Sequence, residues 1–139
     1  MEKNVMKESL VVGQSATRRW VIDEGRTIGI LGPESRVYAT PYLVYDLETT
    51  CREFLLEHLA PGEDTVGTRV EMDHAAPTPL GMWVDITVTV AAVEGRAVTL
   101  AFTAADALDR VASGRHSRFV VDVEKTRERL MAKARKAGL

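Results

Sequence analysis

The chain has one cysteine, no long apolar run and little excess charge. Cys51 is the single cysteine among 139 residues, so the chain has no internal disulfide, and a reducing compartment is its simplest location. No segment reaches the roughly 18 apolar residues of a membrane span, and residues 1–13 lack the apolar centre of a secretory signal. The net charge of −2 does not favour nucleic-acid binding. We expect a cytoplasmic protein that binds neither membrane nor nucleic acid.

Several motifs of catalytic and cofactor sites are also missing. The sequence has no glycine-rich phosphate loop, no serine in a nucleophile elbow and no cluster of metal ligands. We therefore expect no metal site and no bound cofactor. A hydrophobic content of 45% with 27% charged residues is ordinary for a globular protein. The length fits one domain over residues 1–139, in which residues 1–16 and 124–139 are flanking segments.

One long helix is predicted in the first half of the chain. Thr40 is a good N-cap and Pro41 suits the first helical position. The helix is predicted to end near Leu59, before Pro61, and to be roughly 28 Å long. Apolar positions recur at spacings of three and four and predict one buried face, made by Val44, Leu47, Cys51, Phe54, Leu55 and His58.

The remainder of the chain predicts strands. A short strand is predicted at 17–22, and residues 23–37 form a loop with at most a strand fragment at 27–31. Four long strands follow, at residues 66–74, 84–90, 98–102 and 111–123. A polar, helix-prone tail then covers residues 124–136. The fold class is α+β, an antiparallel sheet curled around one long central helix, which is the pattern of the hotdog fold. The edges of so small a sheet predict a homodimer or a higher oligomer.

Glu48 does not suit its position on this helix. It falls within about 60° of the centre of the apolar face. A carboxylate there costs several kcal/mol unless it is paired, hydrogen-bonded or protonated. Glu48 therefore either lies at the edge of the apolar face and reaches water, or faces a cleft as a functional group.

His74 and Thr40 have two interpretations each. His74 follows Val66, Val70 and Met72 in strand parity, so it is predicted to face the helix at the rim of the sheet. A lone histidine on an apolar face is more often structural than catalytic. Thr40 is explained by helix capping alone, yet its hydroxyl is on the same side of the helix as Glu48. The helix dipole there also favours a developing negative charge.

Residues 36–125 contain five short segments that are rich in polar residues and glycine. They are Tyr38-Ala39-Thr40 with Glu48 eight residues on, Val66-Gly67-Thr68, His74-Ala75-Ala76-Pro77-Thr78-Pro79-Leu80-Gly81, Val93-Glu94-Gly95-Arg96 and Gly114-Arg115-His116-Ser117-Arg118. Together these segments resemble the fluoroacetyl-CoA thioesterase family of hotdog proteins. The resemblance implies that Thr40, Glu48 and His74 are catalytic and that Gly67 and Arg118 bind substrate. It also implies an acyl-CoA substrate and no cofactor apart from the coenzyme A within that substrate.

One segment departs from the family pattern. The family carries a phenylalanine-rich lid before its Ala-Thr motif, whereas residues 33–37 are shorter here and contain no phenylalanine. We therefore expect hydrolysis of short acyl thioesters without strong preference for a fluorinated group. The alternatives are a non-catalytic protein that binds acyl-CoA or another small ligand, and a hydratase or dehydratase acting at the β-carbon. Fold alone does not separate them.

Overall fold

The computed structural model describes residues 9–139; residues 1–8, part of the predicted flanking segment, lie outside the described residues. A short 3-10 helix, Glu24–Arg26, precedes β2. The other elements, in chain order, are β1 (Ser15–Val21), β2 (Thr27–Ile28), β3 (Val37–Tyr38), α1 (Thr40–Leu56), β4 (Glu63–His74), β5 (Trp83–Glu94), β6 (Ala97–Ala105), β7 (Arg110–Asp122) and α2 (Val123–Lys136). Within residues 9–139, no helix is long and apolar enough to span a membrane.

The sheet has five antiparallel strands in the order β1-β5-β6-β7-β4. β2 and β3 form a separate two-stranded ribbon. The predicted α+β class, a long helix packed on an antiparallel sheet, is confirmed. β1 and β4 are the two edges of the large sheet, so one side of β4 has no strand partner within the described chain.

The core lies between α1 and one face of the sheet. Along β5, the predicted alternation is confirmed, because Val84, Ile86, Val88 and Val90 are all buried. They pack in one cluster with Leu43, Leu47, Cys51 and Leu55 of α1. Burying side chains of this kind contributes about 1.5–3 kcal/mol each before conformational entropy is subtracted.

The buried face of α1 differs from the predicted one at several positions, among them His58, which is only half-buried. Val44 is only half-buried, whereas Asp46 is fully buried. Asp46 accepts hydrogen bonds from the Tyr38 hydroxyl at 2.6 Å and from Arg26 Nε at 2.9 Å. The ion pair and hydrogen bonds offset the cost of burying this carboxylate. Burial raises the pKa of the Tyr38 hydroxyl, which therefore stays protonated as the donor.

Thr40 is not the N-cap of α1, so that prediction is wrong. Ala39 is the cap and makes no side-chain capping hydrogen bond, and the helix begins at Thr40 with Pro41 next to it. The helix tolerates an uncapped start because Pro41 has no N–H, and the N–H groups of Tyr42 and Leu43 both donate to the Ala39 carbonyl. The Thr40 hydroxyl is thus available for another partner.

The faces of β4 also differ from the prediction. Val66 pairs with the exposed Phe119, whereas Val70 pairs with the buried His116, so Val66 and Val70 face opposite sides of the sheet. A β-bulge between Gly67 and Arg69 causes this change. As a result, Gly67 and His74 both face α1, although they are seven positions apart in the sequence. A regular strand would place one of them on the outer face.

Candidate active site

Thr40 and His74 form a direct side-chain pair. The Thr40 Oγ1 atom lies 2.7 Å from His74 Nδ1. Thr40 opens α1, and His74 is the last residue of β4. The site therefore lies where the N-terminus of the helix meets the end of an edge strand. The predicted placement of His74 at the rim of the sheet is confirmed.

The second ring nitrogen of His74 is buried and has no hydrogen-bond partner within residues 9–139. Burial lowers the pKa of the His74 imidazole, and the nearby Ala76 backbone partly opposes this effect. The ring is therefore neutral near pH 7. A neutral imidazole bonded to a hydroxyl can accept or return a proton during a reaction. A buried polar atom without a partner is uncommon in proteins.

A cavity of about 280 Å³ lies beside this pair. Residues 37–40 and 74–77 line it, together with Ile28 of β2. Its walls are mainly apolar apart from Thr40 and His74. Such a space suits a small acyl group.

Glu48 belongs to a second cluster, around Gly67. A side-chain carbon at position 67 would lie only 3.3 Å from Glu48 Oε2 and 3.2 Å from His116 Cε1. Position 67 therefore requires glycine if these neighbours are to keep their positions. Glu48 is half-buried. Its carboxylate lies beside the polar side chains of His116 and Arg118 and outside the apolar core.

Arg118 is buried and held rigidly beside Glu48. Its Nε donates to Thr65 Oγ1 at 2.7 Å, its Nη2 donates to the Thr65 carbonyl at 2.9 Å, and its Nη1 donates to His116 Nε2 at 3.1 Å. Burial lowers the pKa of Arg118, and the negative charge of Glu48 opposes that effect. The guanidinium remains charged, since its ordinary pKa is far above neutrality.

His116 is a site residue that the sequence did not single out. It is 1% exposed, and its Nδ1 lies 2.7 Å from the Arg69 carbonyl oxygen. Because Nε2 accepts from Arg118, the proton is on Nδ1, which donates to Arg69. Burial lowers the pKa of His116, and the adjacent Arg118 lowers it further. The sequence does contain a signal for its burial. His116 and Arg118 are spaced by two residues from Val120, so all three side chains lie on the same face of β7.

One chain therefore holds two half-sites. The first pairs Thr40 with His74, and the second joins Glu48, Gly67 and Arg118. Thr40 and Glu48 are eight residues apart, or about 12 Å along the helix. Gly67 and His74 are roughly 20 Å apart along the bulged strand. A single chain does not bring all the predicted site residues into one hydrogen-bonded group.

Neither a metal centre nor a cysteine nucleophile is part of this arrangement. Within residues 9–139, no group of three or more histidine, cysteine or carboxylate side chains is placed to hold a metal ion. Cys51 is fully buried, and burial raises the pKa of its thiol to about 12. A thiol of that pKa is not a nucleophile near neutral pH, so Cys51 is a core residue.

Comparisons with known proteins identify the family of this chain. The fluoroacetyl-CoA-specific thioesterase family model matches residues 22–124. The fluoroacetyl-CoA thioesterase of Streptantibioticus cattleyicolor is 35% identical over 127 residues, which cover 86% of this chain and 91% of that protein. A solved fluoroacetyl-CoA thioesterase structure matches with a TM-score of 0.83 and 32% identity, covering 91% of this chain and 98% of its own. A thioesterase superfamily member from Thermus thermophilus matches with a TM-score of 0.83 and 28% identity, covering 94% and 96%. The chain belongs to the fluoroacetyl-CoA-specific thioesterase family and is a thioester hydrolase with the hotdog fold.

Proposed function

We propose that this protein is a homodimeric acyl-CoA thioesterase that hydrolyses short acyl thioesters to the free acid and coenzyme A. The observation that carries the proposal is the Thr40–His74 pair, with its unpartnered buried nitrogen, beside a small apolar cavity. The proposal includes no cofactor other than the coenzyme A of the substrate. It also includes a cytoplasmic location, in keeping with the free, buried Cys51.

Thr40, Glu48 and His74 are the proposed catalytic residues. The Glu48 carboxylate either attacks the thioester carbonyl, forming an acyl anhydride that water then hydrolyses, or takes a proton from the water that attacks the carbonyl. The carbonyl oxygen gains negative charge, which the Thr40 hydroxyl and the positive end of the α1 dipole stabilise. When the carbon–sulfur bond breaks, His74 acts on the leaving thiolate as acid or charge stabiliser. Gly67 leaves room for the thioester, and the Arg118 guanidinium lies beside the Glu48 carboxylate.

A dimer formed along β4 joins the two half-sites. Residues 66–71 are exposed at this edge, including Val66 at 42% and Val70 at 37%. Antiparallel pairing of β4 with its copy about a two-fold axis at Glu71, with the bulged residue Thr68 left out of the pairing, sets the partner's Gly67 opposite His74. Directly opposed residues share a face in antiparallel pairs, and both of these residues face α1. The partner's Glu48 then approaches the Thr40–His74 pair.

The pairing also removes an exposed edge. An unpaired strand edge with apolar side chains is a liability that pairing eliminates. A two-fold interface uses the same patch on both subunits, which a self-complementary strand provides. The resulting dimer contains two equivalent sites, each with residues from both chains.

The direct test is release of free thiol from a panel of short acyl-CoAs. Wild-type protein is expected to turn over many times. Glu48→Gln keeps the size of the side chain and is expected to fold normally and lose most turnover. Stoichiometric binding without turnover by the wild type would instead indicate a non-catalytic acyl-CoA binding protein. Glu53→Gln, on the exposed side of the same helix, is the matched control.

A further inference from the structure

A buried polar group lies close to the Thr40–His74 pair, at the start of α1. Asp46 is 0% exposed and Tyr38 is 1% exposed. Asp46 Oδ2 accepts from the Tyr38 hydroxyl at 2.6 Å and from Arg26 Nε at 2.9 Å, and Asp46 Oδ1 accepts from Arg26 Nη2 at 3.3 Å. We name these three residues the Asp46 cluster. None of them has a part in the chemistry proposed above.

A gain in stability does not explain the Asp46 cluster. Removing a carboxylate and a guanidinium from water costs about as much free energy as their attraction returns, so a buried ion pair adds little net stability. Leu43 and Leu47, on the same helix, are fully buried and need no such partners. The role best attested for a buried ion pair is to specify one arrangement of the chain around it. The Asp46 cluster therefore fixes which segments lie against one another.

The Asp46 cluster joins three segments that meet in front of α1. Arg26 belongs to the 3-10 helix before β2, Tyr38 belongs to β3, and Asp46 belongs to the second turn of α1. The backbone makes the same connection, because the Ala39 N–H donates to the Arg26 carbonyl at 2.9 Å. The two residues that precede Thr40 are therefore held by a side-chain bond and a backbone bond.

These bonds take the place of a helix cap in setting the position of Thr40. The first turn of α1 begins without a side-chain capping bond, so it is not fixed locally. Asp46 lies six residues after Thr40, or about 9 Å along the helix, and its bond to Tyr38 ties the helix to the strand that enters it. A shift or rotation of α1 would carry the Thr40 hydroxyl away from His74 Nδ1. Misplacement of a reacting group by about 1 Å lowers catalytic rates strongly.

The Asp46 cluster also reaches the acyl cavity, through Tyr38. Tyr38 and Ala39 line the cavity of about 280 Å³ beside Thr40, while the Tyr38 hydroxyl is bound to Asp46. Burial raises the pKa of this hydroxyl, and the hydrogen bond to Asp46 raises it further. The hydroxyl therefore remains a donor at every pH at which the protein is folded and active. One side chain thus connects the cavity wall, the start of the helix and a buried carboxylate.

Taking the proposed thioesterase function as given, we propose that Asp46 and Tyr38 are positioning residues that act through Thr40. The hydrogen bond between them sets the Thr40 hydroxyl against His74. The Tyr38 hydroxyl and the Asp46 carboxylate make no contact with the reacting atoms.

The test is a double-mutant cycle between Tyr38 and Thr40. Tyr38→Phe removes one hydroxyl and leaves the ion pair of Arg26 and Asp46 in place, so the variant is expected to fold. We expect kcat for acetyl-CoA to fall about 10-fold with KM unchanged, because Thr40 acts on the transition state. In a Thr40→Val background, Tyr38→Phe is expected to have no further effect on kcat. Tyr42→Phe is the matched control, since Tyr42 is two residues after Thr40 and about half exposed, and its kcat is expected to stay the same.

Two kinetic results would overturn the proposal and leave thioester hydrolysis intact. One is an unchanged kcat in Tyr38→Phe. The other is an equal loss of kcat from Tyr38→Phe in the wild-type and Thr40→Val backgrounds, because a structural defect that is independent of Thr40 adds to the loss of Thr40.

Nuclear magnetic resonance of the His74 ring nitrogens gives a second readout, which needs no turnover. In Tyr38→Phe the His74 resonances are expected to move toward those of Thr40→Val, since the same hydrogen bond is weakened, and in Tyr42→Phe they are expected to stay in place. Unchanged His74 resonances in Tyr38→Phe would contradict the positioning role. Wild-type protein that hydrolysed no acyl-CoA would instead reject the proposed function, and the resonances would still decide whether Tyr38 holds Thr40 against His74.

Discussion

Thr40 Oγ1 and His74 Nδ1 are 2.7 Å apart, and this contact joins the first residue of α1 to the last residue of β4. The hydroxyl is available for it because Ala39, not Thr40, caps the helix. Because the cap residue is alanine, α1 lacks a side-chain capping bond that would contribute about 1 kcal/mol.

The first prediction concerns this hydroxyl. Thr40→Val keeps the shape of the side chain and is expected to lower kcat at least about 100-fold, because the bond to His74 and the donor to the carbonyl are both lost. Thr40→Ser keeps the hydroxyl and is expected to retain most activity. Thr49→Val, later on α1, is the matched control, since Thr49 bonds only to the Tyr45 carbonyl. Steady-state thiol release measures all three. Full activity in Thr40→Val would remove Thr40 from the mechanism.

The second prediction concerns pH and folding. Burial lowers the pKa of His116 below its ordinary 6.5, so the unfolded chain takes up this proton first as the pH falls. Stability from His116 is therefore present above pH 6.5 and is lost progressively below it. The free energy of unfolding is expected to drop between pH 7.5 and 5.5, and less steeply in His116→Gln. Denaturant titrations at several pH values measure this. His58→Gln is the control, and identical slopes in His116→Gln and wild type would contradict the account.

The third prediction concerns the core. Leu47 is fully buried against the sheet, and Leu47→Ala is expected to cost roughly 2–5 kcal/mol of unfolding free energy. Glu53, on the opposite side of α1, pairs with Arg18, and about half of its side chain is exposed. Glu53→Ala is expected to cost little, because exposed ion pairs contribute little. Equal costs in urea melts would mean that the buried face of α1 is placed wrongly.

The fourth prediction concerns the acyl group. The loop between β2 and β3 carries Ile30 and Leu31, which are 78% and 67% exposed, and no phenylalanine. Without an aromatic cover the site is wetter, so electrostatic discrimination inside it is weaker. A pocket distinguishes one small substituent by about 10–200-fold. The ratio of kcat/KM for fluoroacetyl-CoA over acetyl-CoA is expected to stay within that range. A much larger ratio would show that fluoroacetyl selectivity does not need an aromatic lid.

The fold was more predictable than the site, for physical reasons. The alternation of apolar residues along β5 and their helical spacing along α1 are visible in short stretches of sequence. Residues such as Val84 and Leu47 follow these patterns because they are buried in the core. The capping preference of Thr40 is also local, but a tertiary hydrogen bond to His74 overrides it. The burial of Asp46 could not be predicted from the neighbouring sequence. It depends on hydrogen bonds from Arg26 and Tyr38, which lie outside the helix.

The site residues depend on register, which the sequence does not specify. A bulge of one residue decides whether Gly67 faces Glu48 or the solvent. Spacing along α1 places Thr40 and Glu48 on one side of the helix but does not show that they serve different half-sites. That division follows from the length of β4 and from its position at the edge of the sheet.

The central claim is that each site combines His74 of one protomer with the partner's Glu48. Two inactive variants, Glu48→Gln and His74→Ala, test it when the subunits are exchanged by unfolding and refolding together. Half of the dimers then carry both substitutions on different chains, and each such dimer has one intact composite site.

Thiol release by the refolded mixture is the decisive measurement. The composite site predicts that activity rises from near zero to about one quarter of the wild-type rate at equal total protein. Wild-type protein taken through the same procedure is the reference, and sedimentation confirms that dimers have re-formed. A mixture that stays as inactive as either parent, although dimers have re-formed, would show that Thr40, Glu48 and His74 act within one chain and would contradict the account.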